Sequence, residues 1–409
     1  MDQNKLRAYA RLIARTGANV QKGQGAVIKT QVEGYPFARL VAEECYEAGA
    51  AWVQIDYMDQ KLERLDYLYQ EKKTLSRVPK WQRELQRFYN KELPCEIYIL
   101  LDDPDAMEGI DENLLAHVRA AKRKVIKPLR DVRDNKNQWC IAAIPGEAWA
   151  KKVFPDLAVN DAMEALWDAI LTAVRVVDDT PEKQWEAHNR KLHERSEKMS
   201  AYNFESVHLE SKSTGTDLTV GLIDGALWLG GAEKTDRGVI YNPNMPTEEV
   251  FTTPMAGKAD GVVYSTKPLS WMGQMIEDFS ITFCHGKAVA CTAKKGEELL
   301  SKMIALDECA GMLGEVAIIG VDSPIEQSGV LFYETLFDEN ASCHLALGAG
   351  FTNCLPDFAE LSLAECTARG INDSVHHTDF MIGANDMKIT GTTRDGEQIV
   401  VFENGLWVI

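Results

Sequence analysis

The 409-residue sequence lacks most of the short patterns that betray a function. No apolar run approaches the roughly 18 residues needed to cross a bilayer, which argues against a membrane-spanning helix. The nine cysteines (Cys45, Cys95, Cys140, Cys284, Cys291, Cys309, Cys343, Cys354 and Cys366) form no C-x-x-C pair, so neither a thiolate zinc site nor a redox motif is expected. Most sit in apolar surroundings, Ile281-Thr282-Phe283-Cys284 for example, and are read as reduced core thiols. Neither a G-x-G-x-x-G turn after a strand, nor a Walker sequence, nor a G-x-S-x-G elbow occurs in usable context, and H-E-x-x-H is missing. Nucleotide cradles, serine hydrolases and the commonest zinc proteases are thereby set aside. The N-terminus enters a polar amphipathic pattern directly, without the basic and then apolar order of a secretion signal, so a cytoplasmic protein is expected.

Basic residues are scarce in one half only. From Ser206 onward there are 12 Lys and Arg against 29 Asp and Glu, a balance of −17, whereas the preceding part carries −1 of the total −18. Phosphate neutralisation needs a basic stripe, so nucleic acid and an anionic membrane are excluded as main partners. The acidic surplus can be solvated surface or a set of metal ligands.

Helical and strand patterns alternate in the first half. Helical spacing of Leu6, Tyr9, Ala10, Ile13 and Ala14 is followed by a strand at Gly25-Ala26-Val27-Ile28. Helices over residues 36–48, 61–69 and 112–129 are interleaved with strands over 51–55, 96–101 and 139–143, which predicts a mainly parallel α/β sheet. Asn160 or Asp161 is placed to cap a helix over 162–176, and Pro181 starts another that runs to about residue 199. Beyond Asn203 the texture becomes short β segments and glycine turns, with a helix over 297–304. The expected architecture is an N-terminal α/β domain, 1–203, and a β-rich α+β domain, 204–409.

Six potential ligands lie in the acidic half within apolar or glycine-rich sequence. Glu249 precedes Val250 and Phe251, which look buried; a solvated glutamate at a strand start fits as well. Glu315 opens Val316-Ala317-Ile318-Ile319-Gly320, a run apolar enough for a central strand, where a carboxylate needs a cation, either a metal or a lysine. Glu339 and His344 stand five residues apart beside Leu345-Ala346-Leu347-Gly348, although a histidine beside an apolar run can equally be a hydrogen-bonded core residue. In an extended His377-Thr378-Asp379, the first and third side chains share a face, presenting a nitrogen and an oxygen to one ion. His376 would point the other way. Mixed imidazole and carboxylate donors suit Zn²⁺, Co²⁺ or Mn²⁺, and six exceed one tetrahedral centre but fit two ions about 3.5–4 Å apart.

These stretches, together with Gly215-Thr216-Asp217-Leu218, resemble the aminopeptidase T and aminopeptidase S family of thermophilic-type metallo-exopeptidases. The resembling segments span most of the C-terminal half in family order. The resemblance implies metal-ligand roles for Glu249, Glu315, Glu339, His344, His377 and Asp379, and a homodimer with an enclosed site. One departure stands out: the family tyrosine seven residues after the histidine ligand is Phe351 here, which has no hydroxyl to donate to a tetrahedral intermediate.

The function expected is hydrolysis of the N-terminal peptide bond of short peptides by water activated between two divalent ions, with Glu315 bridging and Glu249 as base. Two alternatives stay open. One is a metal-dependent hydrolase of another amide or of a phosphoester, the latter disfavoured by the sparse Arg and Lys. The other is a metal-binding protein with reduced or no peptidase activity, because of Phe351.

Overall fold

The computed structural model describes residues 2–178, 180–271 and 274–409, which fold as two compact units: 1–186 with 232–246, and 187–231 with 247–409. In the first unit four parallel strands stand in the order Trp52–Met58, Gly25–Gln31, Cys95–Leu100, Trp139–Ala143. Helices between them supply the crossovers that parallel pairing requires. These include Tyr35–Ala48, Gln60–Tyr69 and Glu112–Arg130. The expected alternation is therefore observed, and the mixed α/β class with it. Residues 232–246 return to this unit, where the peptide N–H of Ile141 donates to the carbonyl of Pro243.

Local differences have identifiable causes. Lys80–Glu92 adds a helix whose few apolar residues, Trp81, Leu85, Phe88 and Tyr89, are too sparse to announce it, and only Tyr89 is buried. The helix expected over 162–176 starts earlier, as Val159–Ala173, with Ala158 at its N-cap, so Asn160 and Asp161 fall inside its first turn. Cys284 ends a strand and is exposed, in contrast to the core position expected; Cys291 and Cys309 are half-buried, and the other six thiols are buried.

The second unit is β-rich. Among the described residues one nine-stranded antiparallel sheet forms its bulk, including Phe204–Ser211, Thr216–Leu222, Pro254–Tyr264 and Gln274–Cys284. A second, four-stranded antiparallel sheet has the order His377–Met381, His344–Gly348, Leu313–Ile318, Val250–Thr252. Leu313–Ile318 has a partner on both sides, so it is the interior strand that the apolar run after Glu315 predicts. Side chains alternate across this sheet. One face sends Val250, Val316, Ile318, Leu345, Leu347 and Phe380 into the hydrophobic core shared with the large sheet. The other face carries the polar residues.

Candidate metal centre

Register decides which residues meet on that polar face. Ala317 stands opposite both Phe251 and His344; Ala346 stands opposite both Glu315 and Asp379; Gly348 stands opposite His377. Directly opposed residues of antiparallel strands share a face. Glu315, His344, His377 and Asp379 therefore rise from one surface, and the small Ala317, Ala346 and Gly348 leave room between them. Glu249, two residues before Phe251, joins them from the edge strand's entry. Gly348 is left-handed at φ +101°, and a Cβ there would lie 2.1 Å from the carbonyl oxygen of His376, so only glycine allows this close pairing beside His377.

The donors fall into two groups, Glu249 with Glu315 and His344, and Glu315 with His377 and Asp379, each with its ligand atoms within 4.8 Å of one another. Glu315 belongs to both. Its Oε1 lies 3.8 Å from Nε2 of His344, and its Oε2 lies 3.1 Å from Nε2 of His377. Oε2 of Glu249 is 3.5 Å from the same His344 nitrogen, and Oδ1 of Asp379 is 3.1 Å from that of His377.

Both imidazoles are oriented from behind by backbone. Nδ1 of His377 donates to the carbonyl of Ala349 at 2.6 Å, and Nδ1 of His344 donates to the carbonyl of Glu339 at 2.9 Å. With Nδ1 committed to a carbonyl, Nε2 of each ring is the nitrogen turned toward the carboxylates, where it would meet an ion, the orientation usual in metal-binding histidines. These two carbonyls carry no signal in a sequence, because any residue supplies a carbonyl and only the fold aims it.

Electrostatics show how strongly the pocket attracts a cation. Burial disfavours a charged His377, yet Asp379 and Glu315 outweigh it and lift the imidazole to about 11. Burial would push Asp379 up, but the facing imidazoles hold it below its ordinary value. Glu339 is driven well above the usual carboxylate range by burial and by the charges of Asp379, Glu249 and Glu315. Four carboxylates crowded around two imidazoles hold a proton tightly on His377 and fit divalent cations, which would take that proton's place.

Each remaining residue has a definite place. Glu339 is in neither three-residue group; its carbonyl orients His344, and its carboxylate lies within the field of the others. His376 stays outside, bonded through Nδ1 to Thr378 and through Nε2 to the carbonyl of Ala310. Phe351 packs its ring on His377, with centroids 4.8 Å apart, and meets Phe251 edge-on at 5.3 Å. Asn340 pins the entry of the edge strand, accepting from the N–H of Glu248 and donating to the carbonyl of Leu336. Phe251 and Asn340 are contributors that spacing along the chain does not reveal. A further set, Asp260, Cys284 and His285, is exposed, and solvated side chains gather in this way without an ion.

Comparison with known proteins agrees with this geometry. The chain is 38% identical over 404 residues to "Aminopeptidase AmpS" of Bacillus subtilis, covering 98% of each protein. It is 38% identical over 405 residues to "Aminopeptidase T" of Thermus aquaticus, covering 99% of this chain and 98% of the relative. The solved structure "Wild-type AmpT from Thermus thermophilus" superposes with a TM-score of 0.91 at 36% identity, covering the whole of both chains. The model of the thermophilic metalloprotease (M29) family matches residues 2–407. A buried two-group donor set of mixed carboxylates and imidazoles on a fold shared end to end leaves one assignment: the chain belongs to the thermophilic metalloprotease (M29) family and is a metalloprotease.

Proposed function

We propose that this protein is a metal-dependent aminopeptidase that hydrolyses the N-terminal peptide bond of short peptides with two divalent ions, Zn²⁺, Co²⁺ or Mn²⁺. The observation that carries this reading is the sharing of Glu315, one carboxylate oxygen toward each donor group. Glu249, Glu315 and His344 would hold one ion, and Glu315, His377 and Asp379 the other, with Glu339 a further donor to the pair. When bound, such a pair lowers the pKa of water, polarises a carbonyl and orients the substrate.

The chain's own residues supply the rest. With an ion in place of the proton on His377, the carbonyls of Ala349 and Glu339 would keep both Nε2 atoms presented to the donor groups. Glu249 is assigned the proton transfer from attacking water to leaving amine, its Oε2 facing the site from the edge. The negative charge of the pocket favours the cationic amino group of a peptide over an acidic end. The same reading takes the enzyme to be a cytoplasmic homodimer.

Metal analysis together with release of free amino acids from short peptides tests the proposal. Two bound ions with N-terminal hydrolysis is the result expected. Bound metal without hydrolysis of any peptide or amide overturns the peptidase reading in favour of a metal-binding protein, which Phe351, lacking a hydroxyl beside His377, favours as the second reading. Absence of metal binding overturns both.

A further inference from the structure

We propose that Phe251 and Phe351 form the wall against which the first residue of the substrate lays its side chain, and that this wall selects apolar side chains over small or charged ones. The inference rests on the aminopeptidase reading and specifies which substrates it takes.

Phe251 and Phe351 come from different parts of the sequence but form one aromatic surface. Phe251 lies on the metal-facing side of the edge strand, opposite Ala317 and two residues beyond Glu249. Phe351 follows the strand that carries His344, and its ring is 5.3 Å from that of Phe251 and 4.8 Å from that of His377. Neither ring is fully covered; both remain half-buried, whereas Val250 and Thr252, on the other face of the same strand, are buried. Half-covered aromatic rings against a ring of carboxylates gain by accepting an apolar group that displaces water from them.

Substrate chemistry places that group. In a peptide with a free N-terminus the amino group and the scissile carbonyl are both attached to the first Cα, which also carries the first side chain. If the amine and the carbonyl lie at the donor groups, the first side chain is one bond from the carbon that joins them. It must rest on whatever flanks the donors. On the His377 side that flank is the Phe351 ring, with Phe251 behind it. The leaving portion of the peptide begins beyond the carbonyl and has no such constraint.

The test compares aminoacyl p-nitroanilides of Leu, Phe, Ala and Asp on wild type and on Phe251→Ala and Phe351→Ala, with metal content measured for every sample. Wild type is expected to turn over the Leu and Phe substrates with kcat/KM at least about tenfold above the Ala and Asp substrates. Each alanine variant is expected to lower kcat/KM for Leu and Phe by about tenfold while changing that for Ala by less than about threefold. Phe351→Leu, which keeps an apolar surface of similar reach, should retain the preference and guards against a variant that fails to fold. Binding of free L-phenylalanine and L-alanine by calorimetry gives a readout independent of turnover, and its preference for phenylalanine should shrink in the same variants. Unchanged Leu-to-Ala ratios in variants that turn over normally overturn this inference alone. Failure of the wild type to hydrolyse any aminoacyl substrate while binding metal overturns the aminopeptidase reading, and this inference with it.

Discussion

The Oε2 of Glu315 stands 3.1 Å from Nε2 of His377, while the other oxygen of the same carboxylate turns to His344. Because Glu315 serves both groups, its loss should be felt twice. Glu315→Gln keeps the shape but removes the charge, so both ions should bind more weakly and turnover should fall by at least about a thousandfold, within the range that loss of a central electrostatic stabiliser produces. Mass spectrometry of the metal content beside peptide assays checks this. A variant with two ions per chain and normal turnover would show that Glu315 bridges nothing.

Gly348 tests the positioning of His377 without touching a donor. Its left-handed backbone and the 2.1 Å approach of a built Cβ to the His376 carbonyl leave alanine no place unless the strands part. Gly348→Ala should therefore displace His377 from Ala349, lower metal affinity about 10–100-fold, as loss of an orienting partner does, and destabilise the unit by about 2 kcal/mol or more. Chelator competition and urea unfolding measure the two effects. Wild-type metal affinity in this variant would separate the backbone pairing from the site.

The parts of this centre that could be read in advance are those set by local periodicity. His377 and Asp379 share a face because extended chain alternates, and the apolar run after Glu315 marks an interior strand; both hold in the structure. Helix and strand alternation likewise announces the parallel sheet. Long-range register is a different matter. That Ala346 lies between Glu315 and Asp379, or that Phe251 meets Phe351, depends on pairings between strands far apart in the chain. Nor does local pattern reveal that residues 232–246 turn back to the first unit, since among the described residues their short strands, Glu233–Lys234 and Ile240–Tyr241, pair only with each other.

Metal addition should stabilise the fold, because the ions bind the assembled pocket and not the unfolded chain. At a hundredfold excess over Kd the gain is about 2.7 kcal/mol for one site, seen as a rise in Tm on adding Zn²⁺, Co²⁺ or Mn²⁺ to chelator-treated protein. Asp260→Ala, in the exposed Asp260, Cys284 and His285 set, should leave that rise intact, and Glu315→Gln should reduce it. The opposite ranking of the two variants would move the principal metal site away from the four-stranded sheet.

A last prediction concerns Glu96, buried in the parallel sheet of the first unit between Lys29 and Arg133. Burial opposes its ionisation, but the facing ammonium and guanidinium prevail and hold its pKa at about 2 against an ordinary 4.5. The folded carboxylate thus binds protons less readily than the unfolded one. Its contribution, on the order of 3 kcal/mol, is present above about pH 4.5 and is lost as the pH falls toward 2. Glu96→Gln leaves Lys29 and Arg133 without their anion and should cost about 3–5 kcal/mol at pH 7. The gap between wild type and variant should narrow as the pH falls from about 4.5 toward 2, since the wild-type carboxyl then becomes neutral as well. Chemical unfolding of both proteins across this range isolates Glu96 from the other carboxylates, which titrate alike in each. A gap that stays constant with pH would mean that Glu96 stabilises the sheet by shape and hydrogen bonding rather than by charge.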